Sequence, residues 1–297
     1  QDSYSTTGGA GWIGVGQAGH GDVRRAPWLD FGRGVAHVGH WMYAVALDPF
    51  DADRAYYGTG QTIWACTNLR VAARGEPTRW VVHAVGIEET VPLALASPER
   101  GAHVLAGTGD ISGFTVFDPA DVTENPPLRS PTFKDTTGID FAAQRPELVV
   151  RVGSRGWDRE RDHDTGAYSL DGGRTWHAFG AYPDPQAREG HVAVSADGET
   201  WVWAPRALRP HVSRDASRSF HPCGGLPASP CRVLSDRVTP SLFYAFACDG
   251  SAVFVSHDAG ESFERARSEL PRGPFASACA VFGPCGYVVA ASGARVV

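Results

Sequence analysis

Lysine is almost missing from this chain: among 27 basic residues Lys134 is the single lysine, the others all being arginine. That bias reads as a signature of genomic base composition, with an anion-binding surface as the alternative. There is no basic excess. The net charge of -6 provides no electrostatic footprint for nucleic acid and accommodates a neutral or cationic partner more readily. No apolar run approaches the roughly 20 residues that a membrane helix requires, so a membrane partner is not expected. The six cysteines contain no C-x-x-C pair, which argues against structural zinc, and His37, His40, His163, His191 and His211 show no ligand spacing. No cofactor is implied. A signal peptide is also missing, and the sequence starts at Gln1, which suits a processed secreted protein or a trimmed polypeptide, with a cytoplasmic place left open.

What is abundant is turn chemistry. Gly 35 and Pro 21 fit a fold with many tight connections, and 42% hydrophobic content supplies a packed core. Three strings recur: Ser169-Leu-Asp171-Gly-Gly173-Arg-Thr175-Trp176, Ser213-Arg-Asp215-Ala-Ser217-Arg-Ser219-Phe220 and Ser256-His-Asp258-Ala-Gly260-Glu-Ser262-Phe263. Their starts lie 44 and 43 residues apart, a period that marks a β array of propeller type. Each string is an Asp-box, or BNR repeat: Asp accepts hydrogen bonds from turn amides, and the terminal aromatic packs between sheets. A degenerate copy opens the chain, Ser5-Thr-Thr7-Gly-Gly9-Ala-Gly11-Trp12, with Thr7 in the Asp position. The box carboxylates are read as structural, because they serve turns repeated in successive blades.

Apolar strand cores recur around Tyr56, Val104, Val149, Trp201, Tyr244 and Tyr287, which predicts an all-β, single propeller over 1–297. About six four-stranded blades are expected, with seven as the alternative, and the N-terminal strands from Tyr4 to Val15 close the last blade. The connection into each innermost strand and the loop between second and third strands share one rim, opposite the Asp-box hairpins. That rim gathers His40, Trp41, Gln61, Glu88, Glu89, Asp110, Thr137, Arg155 to Asp164, Glu189, His191, Arg206 and Arg232. Cys279 with Cys285 and Cys223 with Cys231 bracket short connections, so each pair is either a disulfide or two reduced thiols.

The second blade carries the most chemistry. Glu88, Glu89 and Thr90 lead into one strand, and His103-Val-Leu-Ala106 runs into Gly107-Thr-Gly-Asp110-Ile-Ser-Gly113-Phe114, so the three carboxylates emerge on one rim. Paired carboxylates beside a sugar-sized groove are the requirement of glycoside hydrolysis, one as acid and the other as base or nucleophile. The bland reading makes Glu88, Glu89 and Asp110 turn caps and rim ion pairs.

Several longer strings carry a resemblance: Ala26-Pro-Trp-Leu-Asp30, Leu47-Asp-Pro-Phe50 with Tyr57-Gly-Thr-Gly60, Gly86-Ile-Glu-Glu-Thr90 and Gly109-Asp-Ile-Ser-Gly-Phe114. Val149-Val-Arg-Val-Gly153, Ala193-Val-Ser-Ala-Asp-Gly198 and Ser235-Asp-Arg237 continue it. In this order and near-spacing the chain resembles glycoside hydrolase family 74, the xyloglucanases and oligoxyloglucan-specific cellobiohydrolases. The resemblance implies two tandem seven-bladed propellers around a cleft, hydrolysing β-1,4-glucan backbones with inversion, and this chain looks like the second propeller alone. It places the general acid on Asp110 and the general base in the other propeller. Ser112 departs from the family pattern, where a glycine stands two residues after the acid.

Two functions follow. One is an inverting xyloglucan-type endo-β-1,4-glucanase with Asp110 as acid and a second carboxylate supplied by Glu88, Glu89 or a second propeller chain or domain; Trp41, Gln61, Trp64, Phe114, Trp157 and His191 would bind the polysaccharide or oligosaccharide, with Trp64 and Phe114 equally readable as core residues. The other is a non-catalytic carbohydrate- or partner-binding propeller in which Ser154 to Asp164 forms a specificity loop. A sialidase shares Asp-boxes but needs an arginine cluster with a Tyr/Glu pair, which this sequence does not assemble.

Overall fold

The computed structural model describes residues 3–5, 7–14, 20–30, 44–60, 62–85, 90–120, 125–157, 163–228, 230–248, 252–266, 276–281, 287–292 and 295–296. Its contacts divide into two compact units, Gln1–Val91 and Pro92–Val297. All described regular structure is β apart from two short 3-10 turns.

The smaller unit is built on a five-stranded sheet in the order His20–Asp22, Arg79–Val82, Ile63–Cys66, Ala55–Gly58, Ala44–Leu47. The first pairing is parallel and the rest are antiparallel, so an extra edge strand joins the four-stranded unit expected from the repeat. Its core gathers Leu29, Tyr57, Trp64, Cys66, Leu69, Trp80 and Val82, with the Tyr57 and Trp80 rings meeting edge-on at 4.6 Å. Trp64 is only 1% exposed. It therefore packs the core and does not reach a sugar, which removes it from the ligand-binding residues and decides for the core alternative. Strands Ser3–Tyr4 and Ile13–Gly14 pair as a hairpin around the degenerate box. There the Thr7 hydroxyl accepts from Gly11 N at 2.9 Å and Ser5 Oγ accepts from Gly9 N at 2.9 Å. A hydroxyl thus replaces the missing carboxylate.

The larger unit holds a succession of antiparallel meanders, and each begins with its innermost strand. These first strands pack side by side: Pro92–Ala96 on Thr136–Ala142, that on His191–Val194, that on Cys231–Ser235, which meets Ala276–Val281. The second strands are Val104–Thr108, Arg145–Gly153, Trp201–Ala204, Phe243–Ala247 and Tyr287–Ser292, so every apolar marker read in this region of the sequence falls in a second strand. This is the layered arrangement of propeller blades. Three of the first strands are tied together by Asp140, which accepts from Val194 N at 2.7 Å and pairs with Arg237. Arg237 donates onward to Phe141 O at 2.8 Å. The core between the blades is apolar, with Trp201, Trp203, Val150 and Val152 among its buried members.

The Asp-boxes behave as turn devices. Asp215 accepts from Ser213 Oγ at 2.9 Å, Ser219 N at 2.9 Å and Ser219 Oγ at 2.7 Å, and Asp171 and Asp258 repeat the pattern. Their aromatic ends pack inward, Trp176 and Phe263 being buried. Cys223 is a buried free thiol whose pKa burial pushes up to about 12, so no bridge joins it to Cys231. Cys285 lies outside the described residues.

The hydrogen bond from the Ser219 hydroxyl, joined by the Ser219 amide and the Ser213 hydroxyl and opposed by partial burial, holds the Asp215 carboxyl below the usual carboxylate range. Its stabilising contribution is therefore complete above the unfolded value of about 3.9 and is lost as pH falls through the depressed value. Asp215→Ala should lower the free energy of unfolding by about 1–2 kcal/mol at neutral pH. The difference between variant and parent in thermal melts should shrink on acidification, and a constant difference down to the lowest pH would contradict this account.

Candidate functional site

The loop between Val104–Thr108 and Gly113–Val116 emerges beside the entry to Thr136–Ala142, on the rim where first strands start. Two cross-blade bonds mark this rim: Thr137 Oγ1 donates to Gly190 O at 2.9 Å, and Glu189 N donates to Gly153 O at 2.7 Å. Asp110 sits at the tip of the loop. Its side chain is 39% exposed, and its backbone is left-handed at φ 65. Asp tolerates that region better than most residues, yet such strain persists only where surroundings enforce it.

Here the enforcement is visible. Asp110 N donates to Asp135 Oδ1 at 3.0 Å, and Trp157 Nε1 donates to Asp110 O at 2.7 Å. Asp135 is held in turn by Ser154, whose Oγ donates to its Oδ2 at 2.8 Å while accepting from its backbone N at 3.0 Å. Ile111 N bonds to Gly109 O and Gly113 N to Ile111 O, which folds the loop into two successive tight turns. Gly113 is required for closure: at φ 132 a Cβ there would lie 2.0 Å from Ala106 O. Gly153 is required as well, because its Cβ would meet Asp135 O at 2.0 Å.

Ser112 is the second non-glycine residue in the loop with left-handed backbone, at φ 66. That conformation costs about 1–2 kcal/mol for an L side chain. Its hydroxyl compensates by accepting from Arg151 Nη1 at 3.0 Å and from Phe133 N at 3.3 Å. A hydrogen bond from a charged donor contributes about 1.5–3 kcal/mol, so the bonds outweigh the strain. Arg151 is completely buried, its guanidinium 4.2 Å from the Phe133 ring and 4.5 Å from the Trp176 ring. Burial pushes its pKa down to about 9, which leaves it a cation at neutral pH.

Lys134 completes the cluster. Its Nζ lies 3.6 Å from Asp110 Oδ1, 3.7 Å from Asp135 Oδ2 and 4.9 Å from the Trp157 ring centroid. The lone lysine thus stands in contact with Asp110, a place its reading from composition did not anticipate. Lys134, Asp135 and Ser154 carry no motif, and only the rarity of lysine singled out the first of them.

Of the sequence-selected residues, Asp110 and Trp157 come together, while Phe114 is half-buried in Gly113–Val116, paired with Ala106 and bridged to Pro127. His191 begins the neighbouring first strand, and burial together with the Arg232 charge pushes its pKa down to about 4. Its ring is neutral above that pH and offers one donor and one acceptor. Glu189 on the same rim pairs with Arg206 at 2.9 Å. Glu88, Glu89, Trp41 and Gln61 lie outside the described residues. Both Asp135 oxygens already accept hydrogen bonds that hold the Asp110 loop.

A xyloglucanase from a Paenibacillus species is 36% identical to the chain over 260 residues, covering 84% of this chain and 25% of that protein. An oligoxyloglucan-reducing end-specific xyloglucanase from Emericella nidulans is 34% identical over 277 residues, covering 82% and 34%. The crystal structure of the xyloglucanase of this same hydrolase family from Xanthomonas campestris superposes with a TM-score of 0.73 at 32% identity, over 99% of this chain and 43% of that one. The chain belongs to glycoside hydrolase family 74, as a xyloglucanase-like region. The family 74 enzyme of Niastella koreensis shares the β-propeller fold at TM-score 0.72 and 24% identity. No protein-family model matches the chain. The chain spans about a quarter to a third of the length of the curated relatives it matches.

In this family 74 loop Ser112→Ala keeps the backbone strain and removes the acceptor for Arg151 Nη1 and Phe133 N. Unfolding free energy should fall by about 1–3 kcal/mol, read as a lower urea midpoint at unchanged slope. An unchanged midpoint would mean that the buried guanidinium does not depend on this hydroxyl.

Proposed function

We propose that this chain is the acid-bearing propeller of a xyloglucan-hydrolysing glycosidase, a single propeller across 1–297 that corresponds to the second propeller of its relatives. Asp110 is the general acid, giving its proton to the leaving glycosidic oxygen. The base that activates water on the opposite face of the sugar comes from Glu88, Glu89 or a second propeller chain or domain. The observation that carries the reading is the half-exposed Asp110 carboxylate on a strained loop anchored by Asp135, Trp157 and Ser112, in a chain 34–36% identical to two xyloglucanases. A pre-organised side chain at an open rim is what proton transfer demands.

Trp157 and the neutral His191 supply an aromatic surface and hydrogen-bonding groups for glucosyl and xylosyl units. The polymer is met outside the cell, so the working place is extracellular. No helix among the described residues is long and apolar enough to cross a membrane. A second reading, a carbohydrate-binding propeller without turnover, is favoured by the rim carboxylates of Asp135 and Glu189 being already engaged, the first by Asp110 N and Ser154 and the second by Arg206.

Asp110→Ala should reduce kcat on xyloglucan by about 100-fold or more while oligosaccharide affinity by calorimetry stays within a few-fold. Unaltered turnover in Asp110→Ala sinks the assignment of the acid. Binding without turnover in the parent chain, also when the other half of a family enzyme is added, establishes the second reading.

A further inference from the structure

The chain's one lysine stands against the side chain proposed as acid, and the arrangement around it is built from three elements of the larger unit. Lys134 precedes strand Thr136–Ala142, Asp110 tips the loop of the preceding blade, and Trp157 follows strand Arg145–Gly153. Lys134 Nζ faces Asp110 Oδ1 at 3.6 Å and Asp135 Oδ2 at 3.7 Å, and it lies over the Trp157 ring at 4.9 Å. Asp135 is already bound by Ser154 Oγ and Asp110 N. Asp110 Oδ1, on which no hydrogen-bond donor stands among the described residues, is therefore the oxygen left for the lysine to orient, and the cation–π contact with Trp157 holds the ammonium in place.

From this geometry we propose that Lys134 is the positioning residue of Asp110, an ammonium that orients the carboxyl on the rim and stabilises the carboxylate left after proton donation. The proposal rests on the reading of Asp110 as general acid. In that step the Asp110 proton passes to the glycosidic oxygen as its bond to the anomeric carbon breaks, and the bonding electron pair stays with the departing oxygen. Water forms the new bond to the anomeric carbon and gives its proton to the base carboxylate. Asp110 ends as an anion, and Lys134 is the cation placed to receive that charge. Both side chains are more than a third exposed, so solvent screens the pair and its effect is moderate.

Because the chain contains one lysine, labelling with 13Cε,15Nζ-lysine gives a single side-chain signal by NMR, readable without any turnover. At neutral pH the signal should shift on Asp110→Asn and much less on Asp135→Asn. A signal unmoved by Asp110→Asn, or moved only by Asp135→Asn, would overturn the proposal and assign the lysine to Asp135. In the hydrolysing polypeptide, Lys134→Met should lower kcat on xyloglucan about two- to fivefold at constant KM, and Lys134→Arg should restore most of it. The loss should shrink on an aryl xyloglucan oligosaccharide whose dinitrophenolate leaves without a proton. Equal loss on both substrates, or a rise in KM alone, would place Lys134 in substrate binding and reject the positioning role. A normal lysine response combined with full turnover in Asp110→Ala would instead remove the acid assignment and leave the ion pair standing.

Discussion

Arg151 lies in the middle of a second strand, wholly removed from water, and no carboxylate among the described residues pairs with it. Burying an ion in this way costs several kcal/mol unless its hydrogen bonds and its charge are both answered. Here Ser112 Oγ and Pro131 O accept from the guanidinium, and the Phe133 and Trp176 rings cover its faces. Each acceptor must stay in place for the charge to be tolerated, so the burial of Arg151 fixes the loop that carries Ser112. Two residues earlier on that loop is Asp110. Rigidity at the rim is thus a consequence of electrostatics inside the sheet.

The same logic runs outward. Once Ser112 is pinned, the turns at Gly109 to Gly113 have little freedom, and Asp110 is held in a left-handed conformation that an unsupported loop would abandon. Asp135 and Trp157 then grip its backbone from the next blade, one at the amide and the other at the carbonyl. The carboxyl is left as the part of the residue that projects at the rim. A glycine in place of Ser112 would relieve strain but forfeit the acceptor, so this chain exchanges backbone ease for a hydrogen bond to Arg151 Nη1.

Much of this was legible in the residues. The 44- and 43-residue spacings, the box aromatics and the second-strand markers are local patterns repeated along the chain, and repetition makes them readable. Asp110 stood out because glycines surround it. Trp64 stayed open between core and ligand because a sequence does not show whether both faces of a blade are covered; at 1% exposure it is core. Lys134, Asp135 and Ser154 reach Asp110 across 24 to 44 residues of sequence, through the packing of one blade on the next. No local pattern encodes that meeting.

The hydrogen-bond inventory also narrows the chemistry. Inversion needs a second carboxylate about 6.5–9.5 Å from the acid, with a lone pair aimed at water. Asp135 is the nearest acidic neighbour described, yet Oδ1 accepts from Asp110 N, and Oδ2 accepts from Ser154 and faces Lys134. Each oxygen keeps a second lone pair, but a proton taken there would weaken the contacts that hold the Asp110 loop. Glu189 is similarly committed, its carboxylate paired with Arg206. Asp135 and Glu189 are thus both engaged with neighbouring groups on this rim, and under the proposed reading of Asp110 the activation of water falls to a carboxylate that approaches from the far side of the sugar.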